Sequence, residues 1–264
     1  MPAQKTILCD VDGVIWLSRI PLPGAVEAFH RVLEAGHEVF FVTNNSYATL
    51  ADQEVAFGRV GIEATNRVLT SSMAAASLVA PGSTAVVGGG PGVFAALRQR
   101  GVEAVDILDA TGLARGTVSE VVVGFHRDFD FDRLHVLSSF VRSGARLIGT
   151  NDDPTYPTES GVIPGGGSIL AAVATAGGAV PIVAGKPHAP MAALVRDRLG
   201  GREMSDVWMV GDRLSTDGRF AAMLGCPFAH VHSSVEESIT DVRPTRAVPS
   251  FAAFVDFLLG DSSA

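Results

Sequence analysis

The feature that most constrains the fold is a short apolar run, Thr6-Ile7-Leu8-Cys9, ending in two acids one residue apart, Asp10-Val11-Asp12-Gly13. An unbroken run of this length reads as a parallel strand buried on both faces, which needs helices to cover it. The carboxyl end of such a strand is where open α/β sheets bind ligands. Residues i and i+2 of a strand point the same way, so Asp10 and Asp12 share a direction. Carboxylates so placed repel each other unless a cation or a shared proton compensates them, and a hard metal ion is the simplest compensation. Taken alone, the run also fits a solvated Asp-Gly turn.

Strand and helix patterns alternate along the rest of the chain. Gly24 to Gly36 reads as a helix with Ala25, Val26, Phe29, Val32 and Leu33 on one apolar face and Gly36 as its stop. Glu38 to Thr43 reads as a buried strand ending at Asn44-Asn45-Ser46. A helix from about Thr49, a short strand near Val68 and an Ala-rich helix from Ser72 follow. Beyond a boundary at Pro81-Gly82, strands over 84–87, 118–123 and 146–149 alternate with helices over 93–100, 131–143 and 168–176. A long loop precedes the last of these helices, and Gly177-Gly178 closes the stretch. A third stretch runs from Pro181 through Gly185-Lys186 to a helix over 190–199. It continues with the strand Val207 to Gly211, a helix from about Thr216, a strand over 228–232 and an apolar helix over 251–259. This alternation predicts an α/β fold with a doubly wound parallel sheet.

At 264 residues, 47% hydrophobic and 18% charged, the chain suits a soluble α/β protein of one large or two smaller domains. No apolar stretch reaches membrane-spanning length and the first residues lack a signal-peptide pattern, so a cytoplasmic location is expected. Cys9 and Cys226 are the only cysteines and read as reduced packing residues. A net charge of −8 disfavours nucleic acid and anionic membranes as partners. An anionic small substrate then needs local charges, a metal or helix N-termini to attract it.

Four segments share one shape, an apolar strand followed at once by polar residues: Asp10/Asp12, Thr43/Asn44/Asn45, Lys186, and Asp212/Asp217. If all four strands are parallel in one sheet, these groups converge on one edge. Acids to hold Mg²⁺ and to attack, with a lysine, a hydroxyl and backbone amides to neutralise phosphoryl oxygens, form a phosphoryl-transfer set. Singly, Thr43 also fits a helix cap, Lys186 a surface lysine and Asp212 a turn residue.

Asp10-Val11-Asp12-Gly13-Val14, Val42-Thr43-Asn44-Asn45-Ser46, Gly185-Lys186-Pro187 and Gly211-Asp212-Arg213-Leu214-Ser215-Thr216-Asp217 match in order the four motifs of the haloacid dehalogenase-like phosphatases. The chain most resembles the branch holding the NagD-like, p-nitrophenylphosphatase-like and pyridoxal phosphate phosphatase-like proteins. Thr150-Asn151-Asp152-Asp153-Pro154 and Pro164-Gly165-Gly166-Gly167 resemble that branch's cap signatures. The resemblance implies a core formed by residues 1–80 and 181–264, with an inserted α/β cap of the C2 type over 81–180. The active site is expected between the two, with the cap excluding large substrates.

The resemblance also implies roles. Asp10 is the nucleophile that forms an aspartyl-phosphate. Asp12 is general acid and then base, and its backbone carbonyl reaches Mg²⁺. Thr43, Asn44 and Asn45 hold phosphoryl oxygens, and Lys186 neutralises nucleophile and phosphate. Asp212 ligates Mg²⁺, while Asp217 supports the metal from behind and orients Lys186. Asp10, Asp12 and Asp212 are thus the expected metal set. Tyr156, in the loop after Thr150-Asn151, is the candidate for contact with the rest of the substrate.

The expected activity is Mg²⁺-dependent hydrolysis of a small phosphorylated metabolite; sugar, glycerol, nucleotide and pyridoxal phosphates all stay open. A homodimer through the cap is left open as well. The alternative is a non-catalytic, regulatory protein that binds phosphometabolites, against which the complete catalytic set argues. Carbon–halogen hydrolysis needs neither a metal nor an acid at position 12.

The sequence departs from the branch's pattern at Ser215, where an acid is usual, at Gly218, and at Phe125-His126. Gly88-Gly89-Gly90-Pro91-Gly92 lacks a phosphate-loop lysine and reads as a turn. The histidines form no zinc-spaced cluster. Arg127 to Asp132 reads as a solvated loop that starts a helix, and Gly165-Gly166-Gly167 as a hinge or tight turn.

Overall fold

The computed structural model describes residues 4–158, 161–233, 237 and 239–260. The opening apolar run forms β1 (Thr6–Cys9), buried at every position. A small antiparallel hairpin follows, β2 (Trp16–Leu17) and β3 (Ile20–Pro21), turned by Ser18 and Arg19 at positive φ. Next come α1 (Ala25–Glu34), β4 (Glu38–Thr43), α2 (Leu50–Arg59), β5 (Val68–Thr70) and α3 (Ser71–Ser77). The middle of the chain forms β6 (Thr84–Gly88), α4 (Pro91–Gln99), β7 (Glu103–Asp106), β8 (Glu120–Val123), α5 (Phe131–Arg142) and β9 (Arg146–Gly149). A hairpin of β10 (Thr155–Thr158) and β11 (Gly161–Pro164) leads to α6 (Gly166–Gly177). The last third holds β12 (Ile182–Val183), α7 (Ala189–Leu199), β13 (Val207–Gly211), α8 (Arg219–Leu224), β14 (Phe228–Val231), β15 (Arg246–Val248) and α9 (Phe251–Leu259).

These elements form two compact units. The first comprises the described residues up to Thr43, Ala51–Leu69, and those from Lys186 onward. Its sheet has the order β15-β14-β13-β1-β4-β5. β1 pairs in parallel with β13 on one side and β4 on the other. The chain leaves β1 towards β4 and β5 and later returns to β13, β14 and β15 on the opposite side. That reversal is a topological switch point, and Asp10 and Asp12 lie just beyond it. α1 buries Ala25, Phe29 and Val32 of the apolar face expected of it, with Ala28 in addition, while Val26 and Leu33 are half-buried at its margins, and it packs on α9. Trp16, Phe57, Phe41 and Phe29 form a continuous run of ring contacts through the core. Each large ring so buried contributes about 1.5–3 kcal/mol of burial free energy.

The second unit comprises Asn44–Leu50 and Thr70–Gly185. Its parallel sheet has the order β12-β9-β8-β6-β7. Val86, Val121, Val123, Leu137, Phe140, Leu147, Leu170 and Val173 belong to its core. Asp130 caps α5 by accepting from Arg133 N at 2.9 Å. Thr70 caps α3 through Met73 N at 3.2 Å, and α3 packs on α4, which groups it with this unit. The contact boundaries therefore fall at 43/44, 50/51, 69/70 and 185/186, where the motif-based division places them at 80/81 and 180/181.

Several expectations need correction. The strand before Lys186 does not join β1, β4 and β13: β12 pairs with β9 at the edge of the second unit's sheet. Two apolar residues suffice for an edge pairing and carry no information about which sheet receives them. The long loop after β9 contains the β10–β11 hairpin. β7 and β15 are short strands with exposed polar positions, too short to show an alternating pattern.

Candidate active site

The site is built where β1, β4 and β13 end. In the β1–β4 register Cys9 faces Phe41, and in the β1–β13 register it faces Val210. Thr43 therefore closes β4 close to the level of Asp10 and Asp12, and Asp212 follows β13 at the same edge. Asp10 N donates to Val210 O at 2.8 Å, which extends the ladder into the acidic turn. Two glycines make the close approach possible. Gly13 has φ +92, and a Cβ there would lie 2.4 Å from Asp212 Oδ2. A Cβ at Gly211 would lie 2.3 Å from Asp217 Cγ.

Lys186 reaches this edge from the link between β12 and α7. Its Nζ lies 2.6 Å from Asp10 Oδ1 and 2.7 Å from Asp217 Oδ1. It is one of the largest fully buried side chains, only 2% exposed. Burial alone would lower its pKa; the charges of Asp10 and Asp217 outweigh that and raise it well above the ordinary lysine value. The acids are raised as well. Burial, then the charge of Asp10, pushes Asp12 up to about 6, against the opposing hydrogen bond from Trp16. Asp212 is raised by burial and by Asp10, and Asp217 by burial despite Lys186. Four carboxylates around one ammonium leave excess negative charge, which adds to burial in raising the acids and holds the proton on Lys186.

That imbalance fits a cation. One carboxylate oxygen from each of Asp10, Asp212 and Asp217 lies within 4.8 Å of the others. Asp212 Oδ1 is buried without a hydrogen-bond partner, an expensive state for a carboxylate oxygen unless an ion meets it. The donors are hard oxygens with no His or Cys among them, which suits Mg²⁺ or Ca²⁺ rather than zinc.

The loop after Asp212 is held from two sides. A π-helical turn over Leu214–Gly218 precedes α8. Asp217 Oδ2 accepts from Arg213 N at 3.2 Å. From β14 and the chain beyond it, His230 Nε2 lies 3.0 Å from Asp212 O, and the Ser233 hydroxyl bonds the Asp212 carboxylate. Glu237 accepts from Ser215 N at 3.0 Å and from the Ser215 hydroxyl. Asp241 pairs with Arg219 at 3.0 Å. Glu237 thereby brings a carboxylate to the position where Ser215 departs from the motif. The sequence reading missed Ser233, Glu237 and Trp16, whose indole bonds Asp12 at 3.1 Å.

The remaining candidate residues lie in the second unit. Asn44 Nδ2 donates to Asp153 Oδ2 at 3.0 Å, and Asn44 O accepts from Ser71 Oγ and Asn151 Nδ2. Asn45 Oδ1 accepts from Tyr47 N at 3.1 Å, an Asx turn. Asn44 and Asn45 thus use their side chains to shape the turn after Thr43. Tyr156 lies 5.4 Å from Phe125, and Phe125 lies 5.9 Å from Tyr47, ring centre to ring centre. Cys9 is buried and its thiol pKa is raised well above the ordinary value by burial and Asp10, which removes it as a nucleophile.

Carboxylates at the switch point of a parallel sheet, a buried lysine between two of them and a hard-ion donor set make a site that can hold a cation beside an anionic group. Residues 7–103 match a family model described as haloacid dehalogenase-like hydrolase, and residues 183–254 match one described as HAD-hydrolase-like. The 5′-nucleotidase YutF of Bacillus subtilis is 30% identical over 98% of this chain and 100% of its own length. Human chronophin is 33% identical over 83% of this chain and 78% of its own. The magnesium-bound structure of glycerol phosphate phosphatase Rv1692 from Mycobacterium tuberculosis superposes with a TM-score of 0.84 at 29% identity, over 95% of this chain and 76% of that one. The chain belongs to the haloacid dehalogenase-like hydrolases, in the branch of the p-nitrophenylphosphatases and chronophin, and is a phosphoric monoester hydrolase. No helix among the described residues is long and apolar enough to cross a membrane.

Proposed function

We propose that the chain hydrolyses small phosphomonoesters with Mg²⁺ through a phosphorylated Asp10. The observation that carries the reading is Lys186, buried between Asp10 and Asp217 beside the unpartnered oxygen of Asp212. Mg²⁺ would be held by the Asp10 and Asp212 carboxylates and the Asp12 carbonyl, and when bound it supplies charge neutralisation for the phosphoryl group. The Thr43 hydroxyl and the Asn44 amide, with Asn45 shaping their turn, hold phosphoryl oxygens. Lys186 neutralises Asp10 and the incoming anion, and Asp217 fixes Lys186 in place. An Asp10 carboxylate oxygen attacks phosphorus while Asp12 gives its proton to the departing oxygen. Asp12 then takes a proton from the water that attacks the aspartyl-phosphate, and Asp10 is restored.

The relatives' names support small, varied leaving groups: a 5′-nucleotidase, an acid sugar phosphatase from Staphylococcus aureus and a glycerol phosphate phosphatase. Tyr156, held against Phe125, is the proposed contact to the part of the substrate beyond the phosphoryl group. The test is p-nitrophenyl phosphate hydrolysis with and without Mg²⁺, for wild type and Asp10→Asn. Asp10→Asn keeps the shape but removes the attacking charge, and activity should fall by about three orders of magnitude or more. Near wild-type turnover in a sample checked for deamidation would end the aspartyl-phosphate reading.

A further inference from the structure

Trp16 lies outside the four motifs. The loop between β1 and β2 folds back on itself: Gly13 N donates to Trp16 O at 2.8 Å and Ile15 N to Val11 O at 2.9 Å. This return carries the indole to the end of β1, where Nε1 donates to Asp12 Oδ1 at 3.1 Å. The ring is 5% exposed and lies 4.4 Å from Phe57, which stacks on Phe41 of β4 at 4.2 Å. The indole is thus packed into the aromatic core with its N–H on Asp12.

We propose that Trp16 is a positioning residue for Asp12: its N–H occupies Oδ1 and leaves Oδ2 as the oxygen that delivers the proton to the leaving group. An indole N–H donates and never accepts. In a carboxylic acid the carbonyl oxygen accepts far better than the hydroxyl oxygen, so the N–H on Oδ1 favours the acid form of Asp12 with its proton on Oδ2. In the first step the Oδ2–H bond breaks and the leaving oxygen gains the proton as its bond to phosphorus breaks. In the second, Oδ2 takes a proton from water as the water oxygen bonds phosphorus and phosphorus leaves Asp10. The Trp16 bond to Oδ1 persists throughout, so the Asp12 rotamer is set before substrate arrives. The inference deepens the assignment of Asp12 as general acid and rests on it.

The test compares wild type, Trp16→Phe, Asp12→Asn, the double variant and Phe57→Leu. Two substrates are used: p-nitrophenyl phosphate, whose leaving group needs little protonation, and the alkyl phosphate turned over fastest in a panel. Trp16→Phe keeps a ring against Phe57 and removes the N–H. It should lower kcat on the alkyl phosphate by roughly tenfold, about what a hydrogen bond to a charged group is worth, and on p-nitrophenyl phosphate by less than about threefold. In the Asp12→Asn background it should change either rate by less than about twofold. Phe57→Leu, which loosens the same packing but keeps the N–H, should lower both substrates in parallel. If Trp16→Phe does not fold, benzothienylalanine at position 16 asks the same question with the ring shape kept. Equal losses on both substrates, or the same loss with and without the Asp12 carboxylate, would overturn the positioning role. If Asp12→Asn itself fails to separate the substrates, the general-acid assignment falls, and this role with it.

Discussion

Replacing Lys186 by Met removes the ammonium that bridges Asp10 and Asp217 at 2.6 and 2.7 Å while nearly keeping side-chain volume. Lys186 and Asp217 are 2% and 1% exposed, so water does not screen the pair. Removing one partner of a buried pair costs about 3–5 kcal/mol, because the other charge is stranded. At about 2–4 °C per kcal/mol for a domain of this size, the unfolding midpoint should fall by roughly 6–20 °C. The sign of the pH dependence follows from the acids. Burial already holds Asp12, Asp212 and Asp217 above the ordinary carboxylate value, and losing the ammonium, whose charge opposes that shift in each of them, raises all three further. A carboxylate raised in the native state binds more protons there than when unfolded. Its stabilising contribution is therefore present below the ordinary value near 4 and is lost as pH rises through the native value, near 6 for Asp12. The deficit of Lys186→Met should widen between about pH 5 and about pH 8. Adding Asp217→Asn should recover part of it, with a coupling of at least about 1 kcal/mol. Both tryptophans, Trp16 and Trp208, lie in the first unit, so thermal unfolding followed by their fluorescence reads the unit that matters. A midpoint within about 2 °C of wild type at high pH, or a deficit that shrinks as pH rises, would refute the reasoning.

Mg²⁺ at about a hundredfold over its dissociation constant should stabilise the protein by about 2.7 kcal/mol, roughly 5–11 °C. The gain should be smaller at about pH 5, where protons compete for the acids; equal shifts at both pH values would sink the ligand assignment. Ca²⁺ should bind but inhibit, since its longer, more numerous contacts let Asp10 bind through both oxygens; full turnover with Ca²⁺ alone would contradict this. Tyr156→Ala should lower kcat/KM for the preferred substrate by about 1–3 kcal/mol and leave acetyl phosphate, too small to reach beyond the phosphoryl site, nearly unchanged. Parallel changes on both substrates would remove Tyr156 from the specificity contacts.

The buried strands of the first unit's sheet were legible because burial on both faces leaves an apolar run and a sharp polar end. β1, β4 and β13 all show that pattern, and α1 and α9 show continuous apolar faces. β12 was misplaced for the opposite reason. Ile182-Val183 is too short to record its partner, and its pairing with β9 depends on where the second unit's sheet ends. The β10–β11 hairpin and the edge strands β7 and β15 carry exposed or polar positions, and short edge strands are held by backbone pairing more than by side-chain burial.

Within the site, Asp10, Lys186, Asp212 and Asp217 were legible by their spacing from strand ends, and the structure joins them in one cluster. Trp16 was not, because an aromatic residue after Val14-Ile15 reads as one more core side chain; only the loop's return brings its N–H to Asp12. Ser233 and Glu237 were hidden by distance along the chain. β14 neighbours β13, and that adjacency brings His230, Ser233, Glu237 and Asp241 against the loop from Asp212 to Arg219. The serine at 215 looked like a loss of acidic support near the metal ligands. In the folded chain its amide and hydroxyl instead form the seat for Glu237, so the carboxylate is restored from the neighbouring strand's continuation. A motif read one position at a time registers the substitution but not its compensation, because the compensating group is set by strand order rather than by spacing.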